Sequence, residues 1–329
     1  MSTKPIMLST AIFCFCAAPA MAQLSDTAGI SGEISLSAGY LSSTSNFNTD
    51  ANATINDNTQ KGESDSSFIP VPLGSIAYTF GSQLDRQLYV GTSREDIAVG
   101  TLALELGYKQ LLANGTVIDA SFLPTIMSGE TWSDPFKTGP ARSVTDEKGN
   151  AFRLKFSNIN NSGFSLDTAY ASQEVENERS GLDSGYVSSA HLLKRDADKL
   201  YLKGDYRMRI QPGTFLAPSI TLVKSDAEGD AYSFTSWRGE LSLFKVMERH
   251  QFALTAGYTH FSYDASHPVY NTTRTDDEFS LFAAYEYQQL MGLRDWSLIS
   301  FAGYGQKDSN INFYQEQQLI FSIGVNYKF

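Results

Sequence analysis

The chain alternates apolar and polar residues over many short segments, and its last eleven residues show the pattern most clearly. A period of two places successive side chains on opposite faces of an extended strand. A strand of about ten residues with one apolar face can cross a bilayer as part of a closed barrel. The apolar face of the last segment consists of Leu319, Phe321, Ile323, Val325, Tyr327 and Phe329, with Ile320 as the one exception on the other face.

The alternation recurs from about residue 30 and predicts fourteen strands, with twelve and sixteen as alternatives. Short connections alternate with mostly longer ones, and both termini fall on the side of the short turns. This sorting is typical of outer-membrane barrels. The sequence therefore predicts an all-β fold, a closed antiparallel transmembrane β-barrel with both termini in the periplasm. The predicted longer connections are 43–68, 93–100, 124–150, 174–198, 225–232, 263–277 and 306–313.

The first 22 residues have the features of a secretory signal peptide. Lys4 supplies the positive charge, an apolar stretch follows, and a small-residue site predicts cleavage between Ala22 and Gln23. The sequence thus predicts Sec-type export and two parts, a signal peptide (1–22) and an outer-membrane β-barrel domain (23–329).

Composition narrows the possible functions. Both cysteines, Cys14 and Cys16, lie in the predicted signal peptide, so we expect no disulfide or thiol chemistry in the mature chain. No later stretch reaches 18 consecutive apolar residues, which argues against a transmembrane helix. The net charge of −11 disfavours nucleic acid as a partner. Histidine spacing predicts neither a metal site nor a cofactor.

The chain's two ends resemble known membrane proteins. The alternation that ends in Tyr327 and Phe329 resembles the last strand of bacterial outer-membrane β-barrel proteins of the porin kind, in which a final Phe is part of the assembly signal. The resemblance implies the outer membrane of a Gram-negative bacterium, with lipid, lipopolysaccharide and the barrel assembly machinery as partners. The stretches Ser31-Gly32-Glu33 and Ser43-Thr44-Ser45-Asn46-Phe47-Asn48 look like an uncharacterised outer-membrane family from marine gamma-proteobacteria.

An Ala-Gly-Tyr triplet occurs three times, ending at Tyr40, Tyr258 and Tyr304. Each triplet comes late in a strand that runs outward. We expect the tyrosines to face lipid in an aromatic girdle near the outer interface, and each glycine to face the lumen.

Ionisable residues within the predicted strands must face water or a partner rather than lipid, so we expect them in the lumen. A cationic wall opposed by acidic residues would set a transverse field, as in porin constrictions; a fully paired ladder that fills the lumen is the alternative. Fourteen tilted strands give a lumen that is roughly 15 Å in diameter once the inward side chains are subtracted. The predicted pore-lining residues are Arg153, Lys155, Asp167, Lys203, Asp205, Arg207, Arg238 and Glu240, opposed by Glu105 and Glu286.

These features predict a porin-like channel, not an enzyme, for the passive diffusion of small hydrophilic solutes. One alternative is a closed structural or surface-binding barrel with acidic external loops. The other is a lipid-modifying enzyme, because His260 and Ser262 share an outward face in a pattern that resembles outer-membrane phospholipase A. That family's His-x-Ser-Asn-Gly continuation is absent, since Tyr263 and Asp264 follow Ser262.

Overall fold

A computed structural model describes residues 23–93, 103–125 and 129–329. Ala22 and the rest of the predicted signal peptide lie outside the described residues. The strands are β1 (Gly29–Thr44), β2 (Ser64–Phe80), β3 (Arg86–Thr92), β4 (Leu104–Leu111), β5 (Val117–Pro124), β6 (Gly129–Trp132), β7 (Val144–Ser157), β8 (Phe164–Val175), β9 (Ala197–Tyr206), β10 (Met208–Gln211), β11 (Thr214–Ala227), β12 (Phe234–Met247), β13 (His250–His267), β14 (Thr272–Gln288), β15 (Trp296–Ser309) and β16 (Glu316–Lys328). Short 3₁₀ helices span Ile159–Asn161, Val187–Leu193, Asp230–Tyr232, Leu290–Gly292 and Asn312–Tyr314.

The sheet closes on itself into a barrel of fourteen wall strands, as predicted. Antiparallel pairing of β1 with β16 runs from Glu33 opposite Lys328 to Thr44 opposite Gln317. Strands β9 and β10 both pair with β11 and together form one wall strand, interrupted at Arg207. Strand β6 pairs with β7 and lies off the ring. Pairing of the first strand with the last closes the ring, as a membrane-spanning sheet requires.

The two faces of each wall strand differ as the alternation predicts. On β1 the outward Ile34 and Leu36 are 59% and 62% exposed, whereas Ser35 and Ser37 face inward and are buried. The terminal strand repeats the arrangement, with Phe321 exposed outward and Ser322 buried inward. Among the described residues no helix is both long and apolar enough to span a membrane.

Both ends of the described chain lie where the short turns are. The backbone of Phe329 exchanges two hydrogen bonds with Gly32, at 2.9 and 3.0 Å, and extends the pairing that closes the barrel. The ring of Tyr327 packs 5.1 Å from that of Trp296 on the neighbouring strand. The assembly-signal residues thus complete the seam of the barrel, while their role in assembly stays a prediction.

At the end of the barrel opposite the termini, several connections are shorter than predicted. Strand β2 begins at Ser64, so the last five residues of 43–68 are strand. Strand β13 continues to His267 and β14 starts at Thr272, so most of 263–277 is strand. These strand ends lie beyond the apolar band, where both faces can be polar. Hydrogen bonding continues there after the alternation has stopped. Most of the predicted connection 93–100 lies outside the described residues.

The main apolar core belongs to a cap at the end opposite the termini. We define the cap as segments 45–63, 129–143, 176–196, 228–233, 263–275 and 310–315. Inside the wall, only a small buried pair of apolar residues, Phe244 and Ala253, forms a second cluster among the described residues. The buried apolar residues of the cap form one cluster: Ile55, Phe136, Leu193, Ala231, Ile311, Phe313 and Tyr314.

Candidate functional site

The cap spans the mouth of the barrel, because segments from opposite sides of the ring meet in it. Phe136 lies between β5 and β7, whereas Tyr270 lies between β13 and β14, about half the circumference away. Their ring centroids are 6.2 Å apart, and the ring of Phe136 lies 5.4 Å from that of Phe313. Segments that start on opposite sides of a ring can touch only across its opening. The described connections therefore cover the lumen at this end.

Two buried arginines join the cap segments. Arg195 donates to the backbone oxygen of Trp132 at 2.6 Å and pairs with Glu178 at 2.7 Å. Arg142 stacks 4.3 Å over the ring of Trp132 and donates to the backbone oxygen of Asn52. Burial lowers the pKa of Arg142 to about 10, so it remains charged at neutral pH. Because each buried guanidinium bonds to more than one segment, the cap packs as a unit.

His267 is buried in the cap in its neutral form. Its Nε2 lies 2.8 Å from the hydroxyl of Tyr314, and its Nδ1 accepts a hydrogen bond from the N–H of Val269 at 3.3 Å. Burial, followed by the charge of Arg274, lowers the pKa of His267 to about 3. Arg274 itself lies 3.5 Å over the ring of Tyr314 and pairs with Asp276. Protonation of His267 would remove the acceptor and place two cations in one apolar cluster.

Below the cap, Arg153 lies at the centre of an ion-pair network on the inner wall. Its guanidinium contacts Glu105 at 3.0 Å and Asp167 at 2.6 Å, and both carboxylates are almost fully buried. The hydroxyl oxygen of Tyr89 lies between two carboxylates, 3.0 Å from Glu105 and 2.8 Å from Asp119. The expectation that Glu105 opposes Arg153 across the lumen is wrong. Only β5 separates β4 from β7, and a long guanidinium side chain reaches over one strand.

A second network crosses the wall from β9 to β15. Glu240 accepts from Arg238 at 2.9 Å and from Lys203 at 3.2 Å. Glu278 lies 3.6 Å from Arg238 and 4.0 Å from Lys307. Lys307 falls in a predicted connection, and Glu278 follows another directly, so the sequence pattern did not reveal them as part of the lumen. Tyr89 and Asp119 were detectable, because they alternate with clear outward residues.

The other predicted pore-lining residues also point inward. In the strand register Lys155 is opposite Asp167. Asp205 is opposite serines on both neighbouring strands. Arg207, at the interruption between β9 and β10, lies 5.5 Å over the ring of Phe244. Of these residues, Lys155 is matched in register with an opposite charge, and a role of the set in conduction stays a prediction.

The lower inner wall carries Glu286 of the predicted set and, in addition, Glu33. Glu286 pairs with Lys328 at 3.2 Å, and Glu33 accepts from the amide of Asn326 at 3.2 Å. The described residues contain no group of three or more histidine, cysteine, aspartate or glutamate side chains that could hold a metal ion.

A polar cavity of about 450 Å³ lies against the inner wall directly beneath the cap. Its carboxylates include Asp65, Glu278 and Glu316, and Lys307 pairs with Glu316 at 2.9 Å. Amides such as Gln318 complete the lining. The volume falls within the range of about 300–1,000 Å³ typical of small-molecule sites.

The Ala-Gly-Tyr triplets have the predicted orientation. Tyr40, Tyr258 and Tyr304 lie on the outward face, and Tyr258 is 42% exposed. Gly257 faces the lumen, where the end of the Arg238 side chain fills the space: a Cβ at this glycine would lie 2.6 Å from an Arg238 nitrogen. The glycine therefore makes room for a guanidinium rather than for solute. The girdle role of the tyrosines stays a prediction.

On the outward face near the girdle, His260 and Ser262 lie side by side as expected, with Ser262 Oγ 3.2 Å from His260 Nε2. The other ring nitrogen, His260 Nδ1, lies 2.7 Å from Asp277 Oδ1. The hydroxyl of Tyr258 donates to the same carboxylate at 2.6 Å. The alternation predicts a loop at Asp277, so the sequence pattern does not reveal this contact, which depends on β14 starting at Thr272.

The sequence pattern of one protein family matches residues 29–328, from the first wall strand to the last. The family is described as proteins of unknown function, DUF2860. The chain belongs to this family. No curated protein matches the chain.

Solved structures similar to the chain are bacterial outer-membrane proteins. A FadL homologue of Pseudomonas aeruginosa is 12% identical, over 91% of this chain and 90% of that one, with a TM-score of 0.43. An anion-selective porin from Comamonas acidovorans is 10% identical, over 91% and 98%, with a TM-score of 0.40. The outer-membrane protein OpdK of Pseudomonas aeruginosa is 10% identical, over 91% and 99%, with a TM-score of 0.39. The closed wall with its apolar outer face gives this chain the architecture of a transmembrane β-barrel.

Proposed function

We propose that this DUF2860 protein is a capped channel for the passive diffusion of small hydrophilic solutes across the outer membrane. The supporting observation is the inner wall, where charged and hydroxyl side chains lead to a polar cavity of about 450 Å³ under the cap. A wall built only to fill space would favour apolar side chains, because buried charges cost free energy unless they are paired or hydrated.

In this proposal the cap is the gate. Its segments span the mouth, so a solute crosses only when they separate. Because the cap has an apolar cluster of its own in addition to its contacts with the ends of the wall strands, it can loosen while the hydrogen-bonded barrel stays intact. Paired carboxylates and cations below it give the solute path both signs of charge, which suits sugars and other uncharged or zwitterionic solutes.

Liposome swelling tests this function. The protein is reconstituted into vesicles, and swelling rates are measured with neutral sugars of increasing size, for the wild type and for the cap variant Phe136→Ala. We expect slow swelling for the wild type and faster swelling for the variant, with rates that fall as the sugar becomes larger. Equal, protein-independent rates for both proteins would contradict the proposal.

A surface-binding barrel is the second candidate, and the packing of the cap favours it. The buried aromatic cluster and the arginine contacts give the external segments one defined shape, as a binding surface requires. A barrel of this kind would stay closed to solutes even when the cap is weakened. The swelling of the Phe136→Ala vesicles therefore separates the two functions.

The proposal places the short-turn end in the periplasm and the cap at the cell surface. It includes Sec-type export, recognition of the terminal strand by the assembly machinery, and contact of the outward face with lipid and lipopolysaccharide.

A further inference from the structure

Three outward side chains beside the cap have the arrangement of a serine hydrolase. Ser262 contacts one nitrogen of His260, and Asp277 contacts the other, at the distances given above. With its proton on Nδ1, His260 donates to Asp277 and presents Nε2 as the acceptor for the hydroxyl of Ser262. In this order, a carboxylate orients the imidazole and the imidazole can remove the proton of the nucleophile.

Their position on the barrel defines the substrate they can reach. His260 and Ser262 come two and four residues after the outward Tyr258, and Trp237 lies opposite His260 in the register. Tyrosine and tryptophan concentrate where the hydrocarbon meets the polar headgroups. Ester bonds between acyl chains and headgroups lie at that depth. Ser262 is exposed on the outer surface of the wall, so a lipid can approach it directly from the membrane.

Hydroxyl groups flank Ser262 on both sides. In the strand register Ser262 is opposite Thr235 on β12 and Thr275 on β14. All three side chains point outward, and directly opposed Cβ atoms are about 4.5–5.5 Å apart. Threonine hydroxyls at this distance can donate to the oxygen on which negative charge develops. The pairing of β13 with β14 shifts register just after Ser262, and bulges of this kind often lie beside active sites.

We propose that Ser262, His260 and Asp277 form a catalytic site that hydrolyses acyl esters of lipids in the outer leaflet. Ser262 Oγ attacks the ester carbonyl while His260 Nε2 accepts its proton. The bond to the alcohol oxygen breaks, and that oxygen takes the proton from His260. Water then attacks the acyl-serine with His260 as base, which releases the fatty acid and restores Ser262. The reaction uses no redox partner and is independent of the lumen and its cap.

Two measurements on the full-length refolded protein test this proposal. The first is covalent labelling by a fluorophosphonate probe, located by peptide mass analysis. The second is fatty-acid release from phospholipid–detergent micelles and, separately, from purified lipopolysaccharide, which distinguishes the two sources of the ester. We expect labelling at Ser262 and release from one of these lipids. Ser262→Ala should abolish labelling and lower release at least 100-fold, and Asp277→Asn should lower it at least tenfold.

Ser266→Ala is the matched control, because Ser266 is an outward, exposed serine four residues beyond Ser262 on the same strand. It should label and hydrolyse as the wild type does. All variants should keep the heat-dependent gel mobility of a folded barrel, because the substituted side chains lie on the outer surface of the wall. The proposal would be overturned if Ser262 is not labelled in the folded wild type, or if fatty-acid release persists in Ser262→Ala.

Discussion

The cap and the barrel wall bury their side chains in opposite ways. In the cap, Phe136 and Phe313 are fully buried in an aromatic cluster and the arginines bind backbone oxygens, as in the core of a globular protein. In the wall, most apolar side chains point out toward lipid and most buried residues are polar, such as Ser322 and Asp167. The cap is therefore held by the hydrophobic effect in water, whereas the wall is held by its strand pairing. We expect the two regions to respond separately to mutation.

The largest expected effect is that of Phe136→Ala on the cap. Removing a fully buried phenylalanine costs about 3–5 kcal/mol, which is enough to open a small cluster but does not touch the wall. Limited proteolysis should cut the cap segments at least tenfold faster and leave the wall intact. Phe68→Ala is the control, because Phe68 points outward and is 85% exposed. Equal cleavage of both variants would contradict the separation of the two regions.

Arg153→Ala should affect the wall and leave the cap unchanged. It leaves Glu105 and Asp167 without their guanidinium partner, and we expect about 2–3 kcal/mol of lost stability. Bilayer recordings should show a reversal potential shifted toward cation selectivity. Lys148→Ala removes a pair with Glu176 in which both side chains are 52% exposed, so it should change stability by less than about 1 kcal/mol. An unchanged reversal potential in Arg153→Ala would remove this residue from the solute path.

Acid should loosen the cap before the wall. The pKa of His267 in the folded cap is about 3, below the ordinary value of 6.5, so the unfolded cap binds the proton first as pH falls. The stability from neutral His267 is complete above about pH 6.5 and is lost progressively toward pH 3, with about 2 kcal/mol lost at pH 5. Protection factors of the cap amides, which correct for the intrinsic pH dependence of hydrogen exchange, should therefore fall about thirtyfold between neutral pH and pH 5. His267→Gln should remove most of this fall, and an equal fall in that variant would assign the pH dependence to another group.

The smallest expected effect is that of Gly257→Ala. The added methyl group meets the end of the Arg238 side chain, which can move at a cost of about 1 kcal/mol or less. The shift should weaken the contact with Glu240 and change the reversal potential by a few millivolts. Gly239→Ala is the control, because a Cβ there meets nothing within 4 Å. A larger shift of the reversal potential in Gly239→Ala than in Gly257→Ala would contradict this explanation. It would show that the shift comes from replacing a glycine in the wall, not from displacing the Arg238 guanidinium.

The sequence predicted the wall well and the cap poorly. The alternation in β1 and β16 indicates which face of each strand meets lipid. It is a reliable signal because every residue on that face meets the same apolar environment. The cap depends on contacts such as Phe136 with Tyr270, which are far apart in the chain and have no periodic signal. The charged residues show the same division: their inward direction follows from the alternation, but the pairing of Arg153 with Glu105 depends on reach over an intervening strand. Asp277 was missed because strand pairing continues where alternation stops.

Single-channel conductance tests the central claim, that a separable cap closes a polar lumen. The wild type and the double variant Phe136→Ala/Phe313→Ala are recorded in planar bilayers under the same salt at neutral pH. We predict a small or rarely open conductance for the wild type and a several-fold larger, sustained conductance for the double variant. A double variant that inserts as a folded barrel and conducts no more than the wild type would contradict the account.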